Sequence, residues 1–354
     1  MYRGHIFAAI CCFLLISSYI TAQTPVKPEP ETYSWRVLAQ AETAFEQGEY
    51  GTALMLAEQA WVNKKNETGW RVSVLTEALK PAEVRRVGDT ISSVIWILEE
   101  RQSADALEIL DDLLRIHGSD FFDNSITQLV SYISAGSVYP ESRYLMGRIY
   151  IREGEYKLAE EYLLAAWNER EYLNVPSLDY SILYELAGLA GLNDEYTKYE
   201  EYLLLILAHD EAFGQPGNES PLLHSVLRIL DTGITLDKLF ELYRHNAYME
   251  IPAYNQLAAF YLRSGRTDRA LSVSLLGSLS AFTRIYNAVE ERDIGFTYVS
   301  FAEVLKKMLS YPVIRTWAEE NSIRSGFELF ADILAASGKR VLAAELTGAL
   351  AVWE

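Results

Sequence analysis

Beyond Glu31, apolar positions recur every three or four residues, in stretches divided by short turns rich in Gly, Pro, Asn and Asp. That is the period of amphipathic helices, and no stretch alternates in the manner of a half-buried strand. The pattern predicts an all-α chain with helices in consecutive pairs. One pair is expected over Ile91–His117, turning near Arg101 to Ser103, and another over Leu178–His209, turning at Asn193-Asp194. Further pairs are expected over Pro221–Ala247 and Ile294–Glu320. The run Leu203 to Leu207 is apolar nearly all round, which predicts burial between neighbours.

Some stretches repeat one another. Tyr144-Leu145-Met146-Gly147-Arg148-Ile149-Tyr150 leads to Gly154 and then Ala159; Tyr254 to Tyr261 leads to Gly265 and Ala270. The same order recurs near the start (Ala41, Gly48, Ala53) and at the end (Ala331, Gly338, Ala343). Each has a small residue in a first helix (Ala41, Gly147, Ala258, Ala331), a turn glycine seven positions on, and a small residue early in a second helix. Small side chains let two antiparallel helices approach, and glycine takes the positive φ that ends the first one. The turn glycines are spaced at about 35 to 37 residues per unit if degenerate units lie between them.

These units resemble the tetratricopeptide repeat (TPR), a helix–turn–helix of about 34 residues. The resemblance implies an α-solenoid of about eight TPR-like helix pairs, several of them degenerate, each burying its apolar face on its neighbours. Tyr199 stands where the family has a small residue, which puts the normal packing of that unit in doubt. The resemblance also implies that the first helix of each pair lines an inner face that holds a peptide or helix. The residues expected there are Tyr144, Arg148 and Arg152 (with Ile151) in one unit, Asn255 and Arg263 (with Ala259 and Leu262) in another, and Glu42, Phe45 and Glu46 in the first. Tyr144 and Tyr184 are candidates for groove-facing aromatics. Arg148 and Arg152 are four apart on one helix face and suit carboxylates on a partner. A plainer reading stands beside this one: Arg152 and Arg263 complement a helix C-terminus, and Arg148 pairs with a nearby Glu. The Lys–Asn set with which some relatives clamp a terminal carboxylate is not matched.

Ahead of the helices the pattern changes. Arg3 precedes an apolar run from Ile6 through Ile16, and small and polar residues follow to Ala22. Residues 1–22 read as a secretory signal peptide cut after Ala22, with a retained anchor as the alternative. Cys11 follows the bulky Ile10 and is not expected to be lipidated. Residues 23–32, with Pro25, Pro28 and Pro30, read as a tether, and 33–354 as the solenoid, with a candidate break at 214–221. The expected address is the periplasm or the exterior, with a membrane-anchored form if the signal segment stays. Asn66-Glu67-Thr68 and Asn218-Glu219-Ser220 fit the glycosylation sequon and are expected in loops.

Composition narrows the function. Of 354 residues, 50% are hydrophobic, which is globular composition, and the net charge of −18 argues against nucleic acid as a partner. The two cysteines, Cys11 and Cys12, are adjacent, so neither a disulfide framework nor a cysteine zinc site is expected. There is no HExxH, Walker loop, nucleophile elbow or dinucleotide fingerprint. His117, His209, His224 and His245 lack metal-ligand spacing. His209-Asp210-Glu211 is the tightest polar cluster and is expected to mark a helix end meeting water. The reading is therefore a non-catalytic exported scaffold that binds a protein or peptide of the cell envelope, with no cofactor and no metal. The alternative is a lipid or small-molecule carrier with an apolar cavity.

Overall fold

In a computed structural model, residues 27–79, 138–214 and 220–353 are described. The described residues are all-helical, and fourteen α-helices follow one another in adjacent pairs, an α-solenoid-like all-α fold. The expected pair over 91–117, the signal segment, and most of the candidate break at 214–221 lie outside the described residues. The helices divide into two compact units, which meet in the chain between Asp179 and Tyr180.

Among the described residues, the first unit holds two pairs, α1 (Ser34–Glu46) with α2 (Tyr50–Leu79), and α3 (Pro140–Glu153) with α4 (Tyr156–Asn168). In α1, Val37, Leu38, Ala41, Ala44 and Phe45 are buried, the i, i+3, i+4 stripe that the sequence carries. Helix α3 packs on α2, and the buried Ser142 hydroxyl donates to the Ala57 carbonyl at 2.7 Å. Gly147 is where α3 and α4 touch: a β-carbon there would sit 2.7 Å from Leu163 Cγ. The sequon at Asn66 lies inside α2, not in a loop, because the apolar helix pattern of α2 runs straight through it.

The second unit holds α5 (Leu178–Leu192, from Tyr180), α6 (Tyr196–Leu207), α7 (Pro221–Leu230), α8 (Leu236–Leu242), α9 (Ile251–Arg263), α10 (Thr267–Glu290), α11 (Phe301–Ser310), α12 (Pro312–Glu320), α13 (Ile323–Ala336) and α14 (Arg340–Leu350). Here α13 packs directly against α9 and α10, while α11 packs against α8, α10 and α14. The reason is aromatic. Phe240, Phe282, Phe301 and Phe327 are all buried and bring α8, α10, α11 and α13 together, with Phe240 4.7 Å from both Phe282 and Phe301, centroid to centroid.

The turns that were read as glycine turns share one geometry. Gly48, Gly154, Gly265 and Gly338 all have φ between 73° and 80°. In each case the next N–H reaches back to a carbonyl five residues earlier: Glu49 to Ala44, Glu155 to Tyr150, Arg266 to Tyr261 and Lys339 to Leu334, at 2.8–2.9 Å. This is the bonding that closes a helix through a left-handed residue. A fifth turn does the same with Asp194 at φ 57°, Glu195 donating to Ala190 at 2.8 Å. The small residues on either side of these turns are buried, Ala41, Ala258, Ala53, Ala159 and Ala270 completely.

The α5–α6 pair carries the misplaced Tyr199. The doubt is answered by a reversal of sizes: the ring of Tyr199 lies over Gly191 of α5, where a β-carbon would be 3.4 Å from it. The large residue of the second helix thus meets a residue without a side chain on the first.

Two boundaries differ from the sequence pattern. The pair expected over 294–320 begins at Phe301, and Ile294 is 98% exposed in a loop that turns at Gly295, φ 94°. Ser300 caps α11 and the Asp237 carboxylate accepts the Phe301 N–H at 2.8 Å, so polar bonds fix the helix start. The helix expected to reach Ala247 stops at Leu242, and residues 243–247 form a non-helical connection. The His245 N–H is taken by Thr283 Oγ1 of α10 at 3.0 Å, which draws the backbone away from a helical path.

Candidate functional site

The residues expected on the inner face fall into two groups, one in each unit. In the first unit, α1 and α3 lie side by side and share a face. The Arg148 guanidinium stands 4.5 Å above the ring of Phe45 and 5.5 Å from that of Tyr144, a cation–π arrangement. Glu42 of α1 is close enough to feel its charge: burial raises the Glu42 carboxyl above the usual range, and Arg148 pulls it back down. Arg148 is therefore half-buried and engaged within the protein. Arg152 lies one turn on, exposed, in the last turn of α3.

In the second unit, Asn255 of α9 is half-buried against α13, where its amide fills the space a side chain on Gly326 would occupy. Arg263 is exposed at the end of α9, and its charge reaches the phenols of Tyr196 and Tyr199. Tyr184 does not stand in open space: it donates to the Met249 carbonyl at 2.7 Å and accepts from the Ala253 N–H at 3.1 Å.

A second constellation, in the second unit, was not foreseen. Helix α6 ends at Leu207, as the His209-Asp210-Glu211 cluster suggested, but Asp210 is nearly buried. It is 8% exposed, and its Oδ2 accepts from both His245 Nε2, at 2.6 Å, and the hydroxyl of the fully buried Tyr254. Its Oδ1 accepts the Ala212 N–H at 2.9 Å. Burial alone pushes the Asp210 carboxyl up, yet the hydrogen bonds of His245 and Tyr254, the His245 charge and the Ala212 amide outweigh it and hold Asp210 below the usual carboxylate range. Tyr254 is pushed far above the usual phenol value, by burial first and by Asp210 second. Asp210 therefore stays ionised and accepts from His245 Nε2 and the Tyr254 hydroxyl together.

The non-helical connection that carries His245 is pinned at several points. Tyr180 of α5 donates to Glu250 Oε1 at 2.7 Å, and the two Tyr184 bonds hold the chain on either side of Glu250. Arg244 lies against the rings of Phe282, Tyr286 and Tyr298, 4.7–5.5 Å from their centroids. Burial there lowers its affinity for its proton, and the tyrosines partly restore it. Between this connection, the end of α6 and the start of α7 opens a cleft of about 640 Å³, lined by His209, Asp210, Glu211, Leu222, His245 and Glu250 among others. Among the described residues, no group of three or more His, Cys, Asp or Glu is arranged to hold a metal ion, and no helix is long and apolar enough to cross a membrane.

Comparison with known proteins gives relatives without an assigned role. The chain is 29% identical over 312 residues to an uncharacterized protein of Treponema pallidum (strain Nichols), covering 88% of this chain and 83% of that one. It is 25% identical over 218 residues to an uncharacterized protein of Borreliella burgdorferi (strain ATCC 35210 / DSM 4680 / CIP 102532 / B31), covering 56% of this chain and 67% of that one. No family model matches the chain.

The signal that could have found the Asp210 site is partial. The acidic cluster after an all-apolar helix was visible, but His245 and Tyr254 lie 35 and 44 residues further on, and no local spacing joins them.

Proposed function

We propose that this protein is a non-catalytic, exported adaptor, built of TPR-like helix pairs, that holds a protein or peptide of the cell envelope against the first helices of its pairs. The observation that carries this reading is the shared face of α1 and α3, where the half-exposed Tyr144 and Arg148 lie over the buried ring of Phe45 with Arg152 exposed beside them. Rigid aromatics give large contact area at low entropic cost, and an arginine at their edge takes a carboxylate from the partner. The recurrent turn and the small residues around it support the repeat reading, since in four pairs they fix the first helix in the same relation to its second. Export rests on the sequence pattern of residues 1–22.

The test is partner capture from an envelope extract by residues 23–354, with Arg152→Glu run in parallel. Arg152 is exposed, so its reversal leaves the fold intact and isolates the surface. A stoichiometric protein that Arg152→Glu loses supports the reading. Equal capture by both forms sinks it.

A further inference from the structure

Helix α12 carries a strip that its own packing leaves uncovered. Ile314 and Ala318 are buried and face the core. On one flank Arg315 pairs with Glu319, 3.7 Å apart. On the other flank Val313, Trp317 and Glu320 are spaced four and three apart and share one helix face. Val313 is 68% exposed, Glu320 is exposed and Trp317 is half-buried.

Arg284 of α10 adjoins this strip. It is exposed, and its guanidinium lies 5.8 Å from the ring centroid of Trp317 and 4.5 Å from that of Tyr248. Tyr248 is fixed in turn: its hydroxyl donates to Asn246 Oδ1 at 3.0 Å and accepts from Asn287 Nδ2 at 3.3 Å. Two rings from separate elements thus hold the cation in place. That attraction uses the charge of the guanidinium and none of its five N–H donors. The positions three and four away on α10 are Ser280, Ala281, Asn287 and Ala288, so no acid on its own helix reaches it. Among the described residues Arg284 makes no hydrogen bond or ion pair, and neither does the Glu320 side chain. Arg266 gives the contrast: it also lies over two rings, but Glu200 takes its donors at 2.9 Å.

One patch therefore combines an ordered cation and a carboxylate, each without a partner, with the apolar surface of Trp317 and Val313. Such a patch is its own complement. A two-fold rotation sets cation on carboxylate twice and apolar on apolar once, which is what a closed symmetric pair requires. A partner of one charge sign would satisfy only one of the two groups. The net charge of −18 repels two copies at long range, but screening limits this to about 8 Å at physiological ionic strength, so the contact decides. Trp, Tyr and Arg are the residue types that dominate such contacts.

We propose that this chain pairs with a second copy of itself through the α12 strip, with Arg284 of each protomer on the Glu320 carboxylate of the other. The α1–α3 face plays no part in this pairing. The patch is small, so the dimer is weak, with a Kd on the order of 10 µM or more.

The experiment is sedimentation velocity of the chain from Gln23 at concentrations up to about 300 µM, in about 150 mM sodium chloride. The variants are Arg284→Glu, Glu320→Arg and the two together. Symmetry doubles each reversal into two like-charge contacts, so either single variant should weaken the dimer at least about tenfold. The double variant restores both pairs and should return to within about threefold of the wild type. Both residues are exposed, so thermal unfolding of the single variants should not change, and Glu320→Arg keeps the test open if Arg284→Glu disturbs its two rings. Three results would each overturn the proposal. One is a monomer at every concentration, which would leave the strip to a different protein. The others are a dimer that neither reversal weakens and a double variant that does not recover.

Discussion

Gly147 offers a sharp test of how the helix pairs are built. An alanine there would place its β-carbon 2.7 and 2.8 Å from Leu163 Cγ and Cδ2, and 3.4 Å from the Ala159 carbonyl. Leu163 is fully buried, so it has no room to swing away, and α3 and α4 must move apart. Overpacking of this kind costs about 1–3 kcal/mol. Against it stands the helix preference of alanine over glycine, worth about 1 kcal/mol. The net expectation is a loss of up to roughly 2 kcal/mol, a few degrees of melting temperature. Gly188 of α5 is the control: it is exposed, helical, and has nothing within 4 Å of its would-be β-carbon. Gly188→Ala therefore keeps only the propensity gain and stabilises by about 0.5–1 kcal/mol. Both are measured by denaturant titration followed by circular dichroism. A cycle with Leu163→Ala adds a check, because removing the obstructing side chain should relieve the Gly147→Ala penalty by more than about 0.5 kcal/mol of coupling. If Gly147→Ala stabilises the protein as Gly188→Ala does, the close-approach argument for the pair is refuted.

Other expectations follow from the second unit. Gly265→Ala, forced to φ 73°, should cost about 1–2 kcal/mol in the same titration, and a neutral result would contradict the left-handed turn. His245→Ala or Asp210→Asn strands buried polar partners and should cost about 1–3 kcal/mol; a melt unchanged by both would show that the network does not hold the 243–250 connection. Because the Asp210 value is lowered on folding, its contribution is complete above the ordinary carboxylate range and is lost as pH falls through its folded value. Acid titration of the wild type should thus show a loss of stability that Asp210→Asn lacks. Tyr261, which donates to Glu200 at 2.8 Å, is pushed up to about 12, by burial first and then by Glu200. Its contribution is complete below the ordinary phenol value of about 10 and is lost as pH rises towards 12. Tyr261→Phe should flatten that alkaline loss, read by melting temperature against pH.

Much of the fold was legible because its rules are local. The order of small residue, turn glycine and small residue around Gly48, Gly154, Gly265 and Gly338 demands a particular backbone and a particular closeness, and both lie within about twenty residues of one another. The Asp194 turn was legible by position although its residue differs. The inversion at Tyr199 was not, since its partner glycine on α5 was one of several and nothing local marked it. The direct packing of α13 on α9 and α10 was also hidden. It depends on four phenylalanines, Phe240, Phe282, Phe301 and Phe327, from separate helices, and an apolar residue in sequence does not say which neighbour it will meet. The candidate surface divides in the same way. Arg148 and Tyr144 lie on one helix face, as four-residue spacing requires, but the ring of Phe45 beneath Arg148 comes from another pair. Asp210 was seen and His245 was seen, and their hydrogen bond was not, because it is made by a connection that leaves the helical pattern.

The adaptor reading is tested most directly by a photo-crosslinking residue placed at position 152 of the full-length chain in its native cells. Position 152 is exposed one turn beyond Arg148 on α3, and position 55, a methionine 61% exposed on α2, serves as the comparison. The account predicts one dominant protein adduct from position 152 that is absent from position 55 and is diminished when Tyr144 is replaced by alanine. Equal adducts from both positions, or none from position 152, would contradict it.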